Sequence, residues 1–185
     1  GFANLVYHGA EHSRFSHSLG VVHVARRMFD GLSRRHGGLD PVTDRLEVLC
    51  AALLHDIGHG PFSHAIEKVT HVHHEDYTAR LIEDPASEIH EVLTEADPSL
   101  PARLAPYFAP RGAMDPARRV LKDIVSSQLD SDRLDYILRD GLATGVRIGV
   151  YDFERIQTMF EVYCFELDGQ PATRLAVSER AREAV

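Results

Sequence analysis

Residues 52–64, ALLHDIGHGPFSH, set His55 and Asp56 side by side at the end of an aliphatic run, with His59 and His64 following around Gly58, Gly60 and Pro61. Imidazole nitrogen together with carboxylate oxygen suits the borderline divalent ions Mn²⁺, Fe²⁺, Co²⁺, Ni²⁺ and Zn²⁺. Adjacent residues of a helix point about 100° apart around its axis, so the pair can share an ion only close to the helix surface. Further ligands must then come from other elements. His17, upstream in SRFSHSLG, and Asp132, downstream in QLDSDRLDY, are the obvious applicants. His59 lies four residues beyond His55 and shares its face if the helix persists. The glycines let backbone approach whatever the site holds. An isolated His–Asp pair is a common accident; the specificity lies in the whole string.

The elements that must carry these groups are mostly helical. Ser16 or His17 opens a helix whose Leu19, Val22, Ala25, Arg26 and Phe29 recur at helical spacing. RRHGGLDP (34–41) is a loop. Thr43 or Asp44 caps a second helix with Leu46, Leu49, Leu53 and Ile57 on one face, ended by Gly58, Gly60 and Pro61. Residues 62–69 form a short helix, and HEDYTARLIEDP is helical until Pro85. Residues 86–116 contain five prolines and read as a variable surface insert or a pair of short helices. Residues 117–142 are helical with a break near 126–131, burying Val120, Leu121, Ile124, Leu134, Ile137 and Leu138. TGVRIGV is a turn-rich link, followed by a short helix over 153–159. Alternation on either side of Asp168–Gly169 predicts a β-hairpin. The tail ERAREAV starts another helix. The fold class is therefore mainly α, with one small hairpin near the C-terminus, and the 185 residues fit a single domain.

Composition narrows the function. Hydrophobic residues make up 44% and charged residues 26%, as in globular proteins rather than disordered ones. The net charge is −8. The arginine pairs at 26–27, 34–35 and 118–119 read as solvated helix faces, so duplex nucleic acid is not expected. A small anionic substrate remains compatible, because one bound cation and a few local arginines can dominate a pocket. Cys50 and Cys164 suggest no disulfide framework and a reducing, cytoplasmic setting. No apolar run approaches the roughly 20 residues that span a bilayer, so no membrane partner is expected.

HSRFSHSLGV, then LLHDIGHGPFSH, then SSQLDSDRLDYILRDGLATGV, occur in that order. The string resembles the HD-domain phosphohydrolases, and within them the deoxynucleoside triphosphate triphosphohydrolases related to the SAM- and HD-domain dNTPase. The resemblance runs from about residue 1 to residue 156 and implies an HD-domain helical bundle. It implies one divalent transition metal (Mn, Fe, Ni, Co or Zn, with Mg as a possible companion) held by His17, His55, Asp56 and Asp132. Asp130 and Asp135 compete with Asp132; the family pattern D-x-D-[KR]-x-D-Y selects the second acid.

The same resemblance assigns His59, His64, Glu67 and His74 to the reacting phosphates, with His71 and His73 as alternatives to His74. It assigns Arg14 to a phosphate, and Arg133, Tyr136 and Asp140 to the nucleotide. As isolated residues, these would be a surface arginine, solvated helix histidines and a core tyrosine. The implied activity is hydrolysis of dNTPs to deoxynucleoside and triphosphate. The alternatives are an HD-type phosphodiesterase or nucleotidase on another phosphoester, and a nucleotide-sensing module with little turnover. Relatives assemble into dimers and tetramers, so a homo-oligomer is expected. Departures are His8 and Glu11, where relatives more often have Pro and Thr, and the family's flanking N- and C-terminal helices, which the sequence lacks; it reads as a core fragment.

Overall fold

The computed structural model describes residues 2–109, 114–147 and 151–179. Helix α1 (Arg14–Ser33) runs through the middle, packed on α2 (Thr43–Leu54) and α8 (Ser131–Thr144) and touching α7 (Arg119–Val125), α9 (Phe153–Met159) and the hairpin. Its start is a capping box at Ser13, earlier than expected: Ser13 Oγ accepts from Ser16 N–H and Ser16 Oγ accepts from Ser13 N–H, both at 3.1 Å. The buried face is Val21, Val24, Ala25, Met28, Phe29 and Leu32, while Leu19 is half exposed. Each large side chain removed from water there contributes about 1.5–3 kcal/mol.

Helix α2 departs from expectation in three ways. Its first amides are capped by Asp40, whose Oδ1 accepts from Val42 and Thr43 N–H at 2.9 and 2.6 Å. Its buried residues are Glu47, Val48, Ala51 and Ala52, whereas Leu46 and Leu53 reach solvent. It ends at Leu54 with His55 as its C-cap, so Asp56, Ile57 and His59 lie on a turn rather than on helical positions. The buried Glu47 is tolerated because Arg118 and Arg103 meet its two oxygens at 2.8 and 2.9 Å. Arg118, read from sequence as a solvated residue, thereby ties α2 to the start of α7; Arg27 pairs with Glu154 and Arg35 donates to the Phe160 carbonyl.

Short helices α3 (His64–Thr70) and α4 (His74–Glu83) follow. The proline-rich stretch forms α5 (Glu88–Ala96) and α6 (Leu100–Phe108). A pair of helices was expected, but α6 is not a surface element: Leu100, Leu104, Tyr107 and Phe108 are buried against α2 and α4. Helices α7 and α8 flank the expected break, with Asp130 capping α8 through Arg133 N–H at 2.8 Å. Leu134 is buried, but Leu138 is partly exposed. The antiparallel hairpin joins β1 (Phe160–Leu167) to β2 (Gln170–Val177) through Asp168–Gly169, both at positive φ as a tight hairpin turn requires. It packs on α7. The expected tail helix over 179–185, apart from Glu179, and part of the 144–150 link and of the 86–116 insert lie outside the described residues.

Candidate metal centre and substrate cavity

Three elements deliver His17, His55 and Asp132 to one point, the first turn of α1, the end of α2 and the first turn of α8, and Asp56 stands beside it, facing the two rings with different oxygens. His17 Nε2 lies 3.0 Å from Asp132 Oδ1 and 3.9 Å from Asp56 Oδ2. His55 Nε2 lies 3.4 Å from Asp56 Oδ1 and 3.7 Å from Asp132 Oδ1. The orientation of both rings is fixed from behind. His55 Nδ1–H donates to the Ala52 carbonyl at 2.8 Å, and His17 Nδ1–H to Asp135 Oδ2 at 2.8 Å. Each bond leaves Nε2 as the lone-pair nitrogen aimed at the shared point. His55 Nε2 is buried with no hydrogen-bond partner. Two imidazole nitrogens and two carboxylates facing one another, one nitrogen orphaned, fit a borderline divalent cation.

Without a cation, the carboxylates and imidazoles hold one another in charged form. Burial opposes charge on Asp56 and Asp132, but the hydrogen bonds and charges of His59, His55 and Arg14 around the first, and of His17 and His55 around the second, outweigh it and lower both pKa values strongly. Burial likewise opposes charge on His17, yet Asp132 and Asp135 push it up to about 9.

A second cluster adjoins the first. Glu67 Oε1 is approached by the Nδ1 atoms of His74 at 2.8 Å, His64 at 3.2 Å and His59 at 3.6 Å. His59 Nε2 reaches Asp56 Oδ1 at 3.3 Å, so this ring bridges the two clusters. His73 is farther from Glu67, at 3.7 Å, with 78% of its side chain exposed against 20% for His74. Glu67 is pulled down to about 2: desolvation opposes the shift, and His74 and His64 outweigh it. Burial, with the neighbouring His59 ring, holds His74 below the ordinary histidine value although Glu67 pulls the other way.

Local backbone makes this packing possible. A methyl group on Gly58 would lie 2.1 Å from the His74 carbonyl oxygen, so only glycine lets the turn after α2 meet the start of α4. Phe62 and Ser63 have positive φ values of 64° and 51°, and the Ser63 hydroxyl meets Arg14. Arg14 also binds the Asp56 carboxylate.

Two cavities meet at the metal point. The outer one, about 470 Å³, is lined by Arg14, Ser63, Tyr136, Arg139, Asp140 and His12 among others. The inner one, about 100 Å³, is closed by Tyr107, Phe108, Val125 and Ser126. Asp56, His59, His64 and Asp132 line both. Of the residues assigned to the site in the sequence, Arg133 and Glu67 do not join either lining; Arg133 Nε donates to the Ser127 carbonyl at 3.3 Å, and Glu67 sits behind His74 and His64. Sequence reasoning passed over His12, which pairs with Asp140 at 2.9 Å, and Ser63, Arg139, Tyr107 and Phe108. Arg139 had a usable signal, because Asp132, Asp135, Tyr136, Arg139 and Asp140 recur at helical spacing. Tyr107 and Phe108 had none.

A family model described as the HD domain matches residues 14–103. The chain is 44% identical over 156 residues to the Bacillus subtilis uncharacterized protein YwfO, covering 84% of this chain and 35% of that protein. It is 33% identical over 175 residues to a Dictyostelium discoideum deoxynucleoside triphosphate triphosphohydrolase SAMHD1 homolog, covering 88% of this chain and 33% of that protein. The crystal structure of a Bacteroides thetaiotaomicron phosphohydrolase superposes with a TM-score of 0.74 at 33% identity, covering 98% of this chain and 41% of that one. A hypothetical protein from Aquifex aeolicus gives 0.77 at 33% identity, covering 99% and 45%. The chain belongs to the HD-domain phosphohydrolase superfamily. It spans between about a third and two fifths of the length of these curated relatives.

Proposed function

We propose that this chain forms the reaction centre of a divalent-metal phosphohydrolase that converts deoxynucleoside triphosphates to deoxynucleoside and triphosphate. The observation that carries the reading is the convergence of His17, His55 and Asp132, with Asp56 alongside, at the junction of a large outer cavity and a small inner one. The resemblance to the Dictyostelium triphosphohydrolase supplies the substrate class.

Those four residues would hold the cation, which when bound supplies a Lewis acid at a phosphate oxygen and a low-pKa water. Asp56 and Asp132 would repel a polyphosphate unless a bound cation offset their charge. Arg14, at the mouth and steadied by Ser63, would grip phosphate oxygens as a planar donor. Arg133 would do so only after turning from the Ser127 carbonyl. Tyr136 would lie under the sugar, with Asp140 near a sugar hydroxyl and His12 fixing its carboxylate. In the reaction, a water oxygen bonds to the α-phosphorus and gives up a proton, the bond from phosphorus to the 5′ oxygen breaks, and that oxygen leaves with the electron pair and takes up a proton. His59, His64 and His74 around Glu67 are the groups within reach that can carry protons. Glu67 holds the Nδ1 side of His74 and keeps its tautomer fixed.

The purified protein with Mn²⁺ should release triphosphate from dGTP, assayed against NTPs and bis(p-nitrophenyl) phosphate. Release of p-nitrophenol without triphosphate would replace the reading with that of a general phosphodiesterase. Nucleotide binding without turnover, at full metal occupancy, would replace it with a sensing module.

A further inference from the structure

Asp135, which receives the His17 Nδ1–H, and Gly20 take no part in the reaction proposed above. Asp135 stands three residues after Asp132, one helical turn along α8, on the far side of the His17 ring from the metal point. Its Oδ2 accepts from His17 Nδ1–H at 2.8 Å, and both of its oxygens accept from Arg139, at 2.8 Å from Nε and from Nη2. The carboxylate is 9% exposed, so the bond works in a weakly screening setting. Opposite it on α1 is Gly20. A methyl group there would lie 1.8 Å from Asp135 Oδ1 and 2.3 Å from Arg139 Nη2, and no backbone atom of α8 is among its nearest contacts. The glycine therefore leaves room for a carboxylate, not for a close approach of two helices.

We propose that Asp135 is the positioning residue for His17, fixing its tautomer and tilt so that Nε2 faces the cation, and that Gly20 is glycine because the Asp135 carboxylate occupies the space of its side chain. Carboxylates behind metal-bound histidines act in this way elsewhere, and removing one typically weakens metal binding 10–100-fold. The inference rests on the reading of His17 as a ligand. It also accounts for the third acid of the D-x-D-R-x-D-Y string, which donates no atom to the metal point.

The test is Co²⁺ binding to the metal-free protein, by chelator competition and by the visible d–d spectrum at saturation. Asp135→Asn offers His17 Nδ1 an amide that can donate, which favours the tautomer with its proton on Nε2. Gly20→Ala removes no polar group and no ligand, and substitutes a better helix former, but drives the carboxylate aside. Both should raise the Co²⁺ Kd about 10–100-fold and change the d–d spectrum, while Arg139→Ala changes the Kd by less than about 3-fold. A merely structural role would lower the thermal midpoint of the metal-free protein without moving the spectrum. If wild type binds Co²⁺ and both variants match it in Kd and spectrum, the positioning role is wrong. If wild type takes up no Co²⁺, the metal centre itself is wrong and the inference falls with it.

Discussion

The rings of His59 and His74 lie face to face, with centroids 3.8 Å apart and planes 11° from parallel. Burial, together with the His59 ring, disfavours charge on His74. Glu67 lies beside both. His59→Ala and His74→Ala should each keep the metal and lose about 10²–10⁴ in kcat. The double variant should lose little more than the worse single, because coupled groups act as one. Steady-state kinetics of the three variants decide this; losses that multiply would mean separate roles.

Asp132→Ala should strip the protein of its cation. Its Oδ1 faces both His17 and His55 with a single atom, whereas Asp56 meets the two rings with different oxygens. Metal content by mass spectrometry should fall to background while the helical circular dichroism is retained. Unchanged metal content would refute the ligand assignment.

The metal-free protein should lose stability as pH rises. His17 stands at about 9 in the fold against 6.5 for an unperturbed ring, because Asp132 and Asp135 outweigh its burial. A raised folded-state value stabilises fully below about pH 6.5, and that contribution fades as pH climbs through 9. The shift corresponds to at most about 3 kcal/mol. Asp132's lowered value describes the same contact and is not added to it. With chelator present, the thermal midpoint should fall by up to about 10 °C over this range, and His17→Gln should flatten the slope. An equal slope in the variant would assign it to other groups.

Gly58→Ala should destabilise the protein without touching a ligand. The added carbon meets backbone, at 2.1 Å from the His74 carbonyl oxygen and 2.6 Å from the Thr78 nitrogen, so the turn and α4 must part. A loss of about 2–4 kcal/mol, or roughly 5–10 °C in the thermal midpoint, is expected from calorimetry. A midpoint within a degree of wild type would show that α4 shifts freely.

The site was legible where it is local and opaque where it depends on packing. The His55–Asp56 pair and the flanking histidines are readable because one turn carries them. Asp132, which faces the rings, was chosen over Asp130 and Asp135 by resemblance alone; what the other two acids do needed three dimensions, since Asp130 caps α8 and Asp135 backs His17. Helix α2 was assigned the wrong face because leucines were counted as buried. The structure buries the charged Glu47 instead, which two distant arginines make tolerable. Helix α6 was foreseen as part of a surface insert or a pair of short helices, but Pro101 and Pro106 hid its place in the core. The first sits in the opening turn, where its missing N–H costs nothing, and burial of Leu104 and Tyr107 overrides the second.

Helix α6 forms the wall behind the metal point with residues that stand outside the signature motifs in front of it. Tyr107 and Phe108 shape the inner chamber, yet nothing about them is dictated by cation binding or proton transfer. Two chains with identical signature strings can therefore enclose chambers of different size. Residues 100–108 are where such a divergence would be inherited, and a survey confined to signature residues would group together enzymes that admit different reactants.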